Sequence, residues 1–194
     1  MNREDFDLLG NTCANNKWGD HEFENNFWWI QQHQEEFWNL IELLQKHKVK
    51  NILEIGSSHG GTLTFFKELM KDDGVLVAIE NNKDIAFSLP KSWSYIPENI
   101  YLLNNNSHHK KTWQSIKKIL GNKLFDFIFI DGDHSYEGCI KDFELSFPFL
   151  KNGGIVAFHD VAIDKRVKNV FDSLIFPKEI LPVYFMGIGV VYKC

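Results

Sequence analysis

The chain has 194 residues, 44% of them hydrophobic, 14% aromatic and 24% charged, which supports one sizeable core and excludes a disordered or collagen-like polypeptide. With 21 Lys+Arg against 26 Asp+Glu and only two arginines, Arg3 and Arg166, it lacks the basic face that nucleic-acid phosphates or an anionic membrane require. The three cysteines (Cys13, Cys139, Cys194) are scattered, no apolar h-region follows Met1, and the apolar runs are of strand length, so a reducing, cytoplasmic setting without disulfides, zinc knuckles or membrane spans is expected.

Residues 1–21 are polar, Asn-rich and aperiodic, and read as an arm. From Phe23 a helical stripe runs through Phe27, Ile30, Gln34, Phe37, Ile41 and Leu44, with Trp28 and Trp29 projecting from the other side. Strands alternating with helices follow. Asn51–Ile55 is a strand ending in a glycine loop, with a helix from Thr62 to Met70. Val75–Glu80 is a second strand, entered by the turn Asp72-Asp73-Gly74, and Ile100–Leu103 a third, before a helix ending near Gly121. Phe125–Ile130, almost wholly apolar, suits a central parallel strand, and Tyr136, Ile140, Phe143 and Phe147 mark the helix after it. Gly153-Gly154 turns into a fifth strand, Ile155–Phe158. Pro182–Phe185 and Val190–Tyr192 flank Met186-Gly-Ile-Gly189 as a hairpin. The expectation is a single α/β domain, its parallel sheet covered on both faces and finished by an antiparallel pair.

Ligands of such sheets bind beyond the carboxyl ends of the strands. That edge would carry Gly56–Gly61 after the first strand, Glu80 on the second, Asn104–His109 after the third, Asp131–His134 after the fourth, and His159-Asp160 after the fifth. Five of the eight histidines fall there. The first loop places glycine where the backbone passes close to a ligand, just before a helix N-terminus. Gly56 and Gly61 fit the ends of the dinucleotide fingerprint G-x-G-x-x-G, but Ser58 stands at its middle glycine. Glu80, 24 residues past Gly56, suits a ribose diol. Simpler roles are open for several of these residues. Glu54 could cap the first strand, and His59 and the His108–Lys111 run could be solvated. Asp126 reads as an edge-of-core carboxylate and Cys139 as a small hydrophobe.

Glu54-Ile-Gly56-x-x-x-Gly60, Glu80 and Phe125–Tyr136 resemble class I S-adenosylmethionine-dependent methyltransferases. Ile130-Asp-Gly-Asp-His-Ser-Tyr-Glu137 with Gly153–Asp160 is similar to a branch of small O-methyltransferases that includes macrocin O-methyltransferase-type and cephalosporin-hydroxylase-type proteins. The resemblance covers residues 50–192. It implies a Rossmann-like three-layer sandwich with a mostly parallel seven-stranded sheet in the order 3-2-1-4-5-7-6. Residues 1–48 would be an added arm and aromatic helix packed on a cofactor-binding core, 49–194.

Carried over by position, the resemblance assigns Glu54, Gly56, Ser57, Ser58 and Gly60 to the methionine part of S-adenosylmethionine. Glu80 would hold the ribose, Asn81 and Ser107 would flank the adenine, and Asp131 would lie nearest the sulfonium. Relatives often use a divalent metal, Mg²⁺ or Mn²⁺ here, for which Asp131, His159 and Asp160 match the ligand positions. His159 departs from all-oxygen ligation, so either the metal differs or His159 is itself an acid–base group. Asp133, His134 and His159 are the candidate catalytic residues. The implied partner is a small-molecule methyl acceptor, a metabolite or sugar hydroxyl, with no nucleic acid or membrane; the aromatic helix is compatible with a homodimer. The alternatives are an NAD(P)-binding oxidoreductase and a non-catalytic S-adenosylmethionine-binding module.

Overall fold

A computed structural model describes residues 1–14, 30–70, 73–82 and 96–194. Its elements are α1 (Arg3–Ala14), α2 (Gln34–His47), β1 (Asn51–Ile55), α3 (Gly61–Leu69), β2 (Val75–Glu80), β3 (Ile100–Asn104), α4 (Lys110–Leu120), β4 (Phe125–Ile130), α5 (Tyr136–Ser146), β5 (Leu150–Phe158), α6 (Lys165–Ser173), β6 (Lys178–Ile180) and β7 (Gly189–Tyr192). They form one seven-stranded sheet in the order β3-β2-β1-β4-β5-β7-β6. β1 to β5 pair in parallel, and β7 runs antiparallel to both β5 and β6. The expected architecture is present.

Two apolar layers sandwich the sheet, as its central strands, buried on both faces, require. One contains Phe6, Phe37, Ile41, Phe65 and Phe66 against Phe127 and Phe129. The other contains Trp113, Ile116, Phe143, Val167 and Phe171 against Ile128 and Phe158. Among the described residues no helix is long and apolar enough to cross a membrane.

Several expected elements differ. Residues 3–14 are not an aperiodic arm but a helix, anchored by Phe6, which is fully buried with its ring centroid 5.0 Å from those of both Phe65 and Trp38. In the stripe read from Phe23, residues 23–29, with Trp28 and Trp29, lie outside the described residues. Ile30 is buried ahead of the helix, which begins at Gln34. Phe147 opens a short 3₁₀ turn rather than continuing α5, and β5 starts at Leu150, five residues early. The hairpin uses 178–180 instead of 182–185 for its first strand, and α6 is a further helix between β5 and β6.

Register sets the functional edge. Ile79, Ile55, Ile130 and Phe158 stand level across β2, β1, β4 and β5. The chain therefore leaves the sheet at one height, delivering Glu80, Gly56, Asp131 and His159 in a single row. Backbone N–H groups of Gly56, Asp131 and His159 bond to the carbonyls of Ile79, Ile55 and Ile130, extending each ladder by one step.

Candidate active site

Over this row lies a cleft of about 970 Å³, near the upper end of the range for small-molecule sites. At one end are Gly56, Ser58, Glu80, Asn81, Asn105, Asn106 and Ser107, and at the other Asp131, Asp133, His134, His159, Asp160, Ile163 and Met186.

The β1–α3 loop is closed by Glu80. Its Oε2 accepts the Ser58 N–H at 2.7 Å, and Oε1 accepts the Asn82 N–H at 2.7 Å. Ser58 stands in the left-handed region (φ 46°), a conformation that costs a non-glycine residue energy and is held here by that bond. Gly56 (φ 89°) is required by packing on β4: a Cβ there would lie 2.7 Å from Gly132 Cα and closer still to the Asp131 carbonyl. Gly60 turns the chain into α3 and does not line the cleft.

Beneath the loop, Glu54 is fully enclosed. Its Oε1 accepts the Thr62 hydroxyl at 2.5 Å. Burial pushes its pKa up to about 8, and the neighbouring Asp131 charge adds to the rise. A cavity of about 20 Å³ lies beside it, lined also by Gln31, Gln32, Ser57 and Asp131. Gln32 Oε1, Glu54 Oε2 and Ser57 Oγ, on three of its lining residues, are buried without completing a hydrogen bond among the described residues, although the Ser57 hydroxyl is near enough to favour the Glu54 carboxylate.

At the other end, two carboxylates and two imidazoles form a quartet. Asp131 Oδ1 lies 3.1 Å from His159 Nδ1 and 3.3 Å from His134 Nε2. Asp160 oxygens lie 3.3 Å from His159 Nδ1 and 3.4 Å from His134 Nδ1. Gln32 Nε2 donates to the other Asp131 oxygen at 2.9 Å. Burial works to raise the Asp131 pKa, but the His159 charge and hydrogen bonds from both histidines prevail and hold it at about 2. The bond to Asp131 raises His134. His159 is raised as well, its two carboxylate neighbours outweighing nearly complete burial. Burial raises Asp160, which has φ 64°.

The structure thus gathers Asp131, His134, His159 and Asp160, and Asp133 lines the cleft beside them. Asp133 is exposed, accepts the Ser135 N–H at 2.9 Å, and has its pKa lowered by that bond. Asp131, His134 and Asp160 each offer a ligand atom within 4.8 Å of the others. His134 therefore joins the expected ligand positions. Gln31 and Gln32, Ile163 and Met186 had no signal in the sequence.

An open, mostly parallel sheet with a glycine loop, an acidic β2 terminus and a polar cluster after β4 defines a Rossmann-like cofactor-binding domain. A family profile described as a methyltransferase domain matches residues 53–161, so the chain belongs to that methyltransferase family. It is 29% identical over 162 residues to a Dictyostelium discoideum protein named probable caffeoyl-CoA O-methyltransferase 3, covering 80% of this chain and 58% of the relative. It is 30% identical over 132 residues to an uncharacterised protein of Acanthamoeba polyphaga mimivirus, covering 63% of this chain and 56% of the relative. The chain thus spans little more than half the length of these relatives. The solved O-methyltransferase from Bacillus cereus in complex with SAH superposes with a TM-score of 0.68 at 17% identity, covering 100% of this chain and 92% of that one.

Proposed function

We propose that the protein transfers a methyl group from S-adenosylmethionine to a hydroxyl oxygen of a small molecule. The observation that carries this reading is the single cleft with Glu80 at one end and the Asp131–His134–His159–Asp160 quartet at the other. Three properties support the fit to the cofactor. Each Glu80 oxygen has accepted one N–H and keeps lone-pair capacity for a ribose hydroxyl. The Gln32, Glu54 and Ser57 oxygens around the small cavity suit an ammonium group. Asn105, Asn106 and Ser107 offer a polar wall for a purine. When bound, S-adenosylmethionine supplies an electrophilic methyl group on a sulfonium.

The protein's own work is then alignment and proton removal. His134, with a third of its side chain exposed against 4% for His159, is the member of the quartet able to reach an acceptor hydroxyl. It takes the proton at a ring nitrogen, and Asp131 and Asp160 stabilise the imidazolium that forms. Ile163 and Met186 bound the acceptor end.

The convergence of three ligand groups within 4.8 Å favours a second form of the same reading, in which a divalent ion assists. Asp131 and Asp160 with His134 or His159 would hold it, and it would lower the acceptor's pKa as a Lewis acid. The imidazoles suit Mn²⁺, Fe²⁺ or Zn²⁺ better than Mg²⁺.

The test is incubation with methyl-labelled S-adenosylmethionine and a panel of catechol and sugar hydroxyl acceptors, before and after dialysis against chelator. Label appearing in an acceptor upholds the reading. Loss on chelation with recovery in Mn²⁺ assigns the ion, and label in no acceptor across a broad panel counts against the reading.

A further inference from the structure

Glu36 lies on α2, outside the quartet, and is 1% exposed. Its carboxylate accepts four consecutive backbone N–H groups from the segment between β6 and β7. Oε1 takes Tyr184 at 2.6 Å and Phe185 at 2.5 Å; Oε2 takes Met186 at 3.1 Å and Gly187 at 2.9 Å. Burial works to raise its pKa, but the four donors together hold it below the usual carboxylate range. Backbone dipoles converge on this buried anion, as in an anion-binding nest, and its charge also helps to raise the His159 pKa.

The gathered segment borders the acceptor end of the cleft. Met186 lines the cleft beside His159, Asp160 and Ile163. The carbonyls of Met186 and Gly187 accept the N–H groups of Ala162 (2.9 Å) and Val161 (3.2 Å), the two residues directly after Asp160. Gly187 (φ 80°) is pressed so close that a Cβ would lie 2.7 Å from the Ala162 Cβ. On the other side, α2 is preceded by Gln31 in the cleft wall and Gln32 on Asp131. Glu36 thus stands where two walls of the acceptor end meet. A hydrophobic side chain here would leave four N–H groups without their acceptor; four aligned donors on one carboxylate specify a single backbone conformation.

We propose that Glu36 is a positioning residue of the acceptor half: it fixes residues 184–187, and through them Met186 and the turn at Asp160, without touching either substrate. The proposal rests on the reading of the quartet as the acceptor end; the tether itself does not.

Hydrogen exchange on the intact wild-type chain is the first arm. The amides of Tyr184 to Gly187, although Tyr184 and Phe185 are exposed side chains, are expected to exchange at least about 100-fold more slowly than unprotected loop amides; exchange at the unprotected rate overturns the proposal without any variant. In Glu36→Gln, which has one acceptor oxygen in place of two, protection of these four amides is expected to fall at least about tenfold. The KM for an acceptor from the labelled-transfer panel should rise by about tenfold or more, while affinity for S-adenosylhomocysteine stays within about twofold. Lost protection with an unchanged acceptor KM, or cofactor affinity falling in step with it, makes Glu36 merely structural. Should Glu36→Gln fail to fold, Glu36→Asp, with the charge kept and the reach shortened, is expected to show the same split at smaller size. If S-adenosylhomocysteine does not bind the wild type, the functional reading and the positioning role fall together, while protected amides would still uphold the tether.

Discussion

Glu80 Oε2 accepts the Ser58 backbone N–H at 2.7 Å, so the residue that ends β2 also fixes the loop that follows β1. Cofactor contact and loop geometry are therefore coupled at one side chain. Glu80→Ala is expected to weaken S-adenosylhomocysteine binding by at least about tenfold, because it removes charge-assisted bonds worth roughly 1.5–3 kcal/mol each and frees a strained loop. Calorimetric titration checks it; unchanged affinity would displace the ribose from this position.

His134 contacts both Asp131 and Asp160 at the acceptor end of the cleft. His134→Ala should therefore leave S-adenosylhomocysteine affinity within about twofold and lower turnover by about 10²–10⁴. The bond to Asp131 raises the His134 pKa above 6.5, and only the neutral ring accepts a proton. Turnover is thus expected to increase with pH through a limb lying above 6.5, measured as a pH–rate profile.

Glu54 predicts a stability slope. Its pKa is about 8 in the folded protein against an ordinary 4.5, so between these values the folded state keeps a proton that the unfolded state has lost. The contribution is fully present below pH 4.5 and is lost as pH rises towards 8, at about 1.4 kcal/mol per pH unit at most. Glu54→Gln should flatten this slope, stabilising the protein at pH 8 more than at pH 5 in denaturant titrations. Parallel curves for the two proteins would contradict the enclosed, protonated carboxyl.

Phe6 ties α1 to α2 and α3 through Phe37, Trp38 and Phe65. Phe6→Ala is expected to cost about 3–5 kcal/mol of unfolding free energy, with S-adenosylhomocysteine affinity of the folded fraction preserved. Thermal melts and calorimetry on the same preparation test both halves.

The sheet from β1 to β5 was legible because each strand is a short apolar run between turn signals, and the order of strands followed from the resemblance. Val183-Tyr184-Phe185 looked like a strand because its composition is β-prone, but Glu36 takes the N–H groups of Tyr184 and Phe185 that a sheet would use. The true edge strand, Lys178-Glu-Ile180, is too short and polar to announce itself. α6 had a readable start: Asp164 caps it by accepting the Arg166 N–H at 2.8 Å, ahead of buried Val167, Val170 and Phe171. In the site, the residues after each strand were legible from the topology rule alone. Gln32 was not, because it reaches Asp131 across 99 positions of sequence, and no local pattern encodes such a contact. The bond by which Asp133 accepts the Ser135 N–H at the turn into α5 was equally hidden.

The most direct test of the central claim is calorimetric titration of the purified chain with S-adenosylhomocysteine, with NADH as the control. The account predicts micromolar binding of S-adenosylhomocysteine, none of NADH, and binding weakened at least about tenfold in Glu80→Ala. Binding of NADH, or of neither ligand, would contradict it.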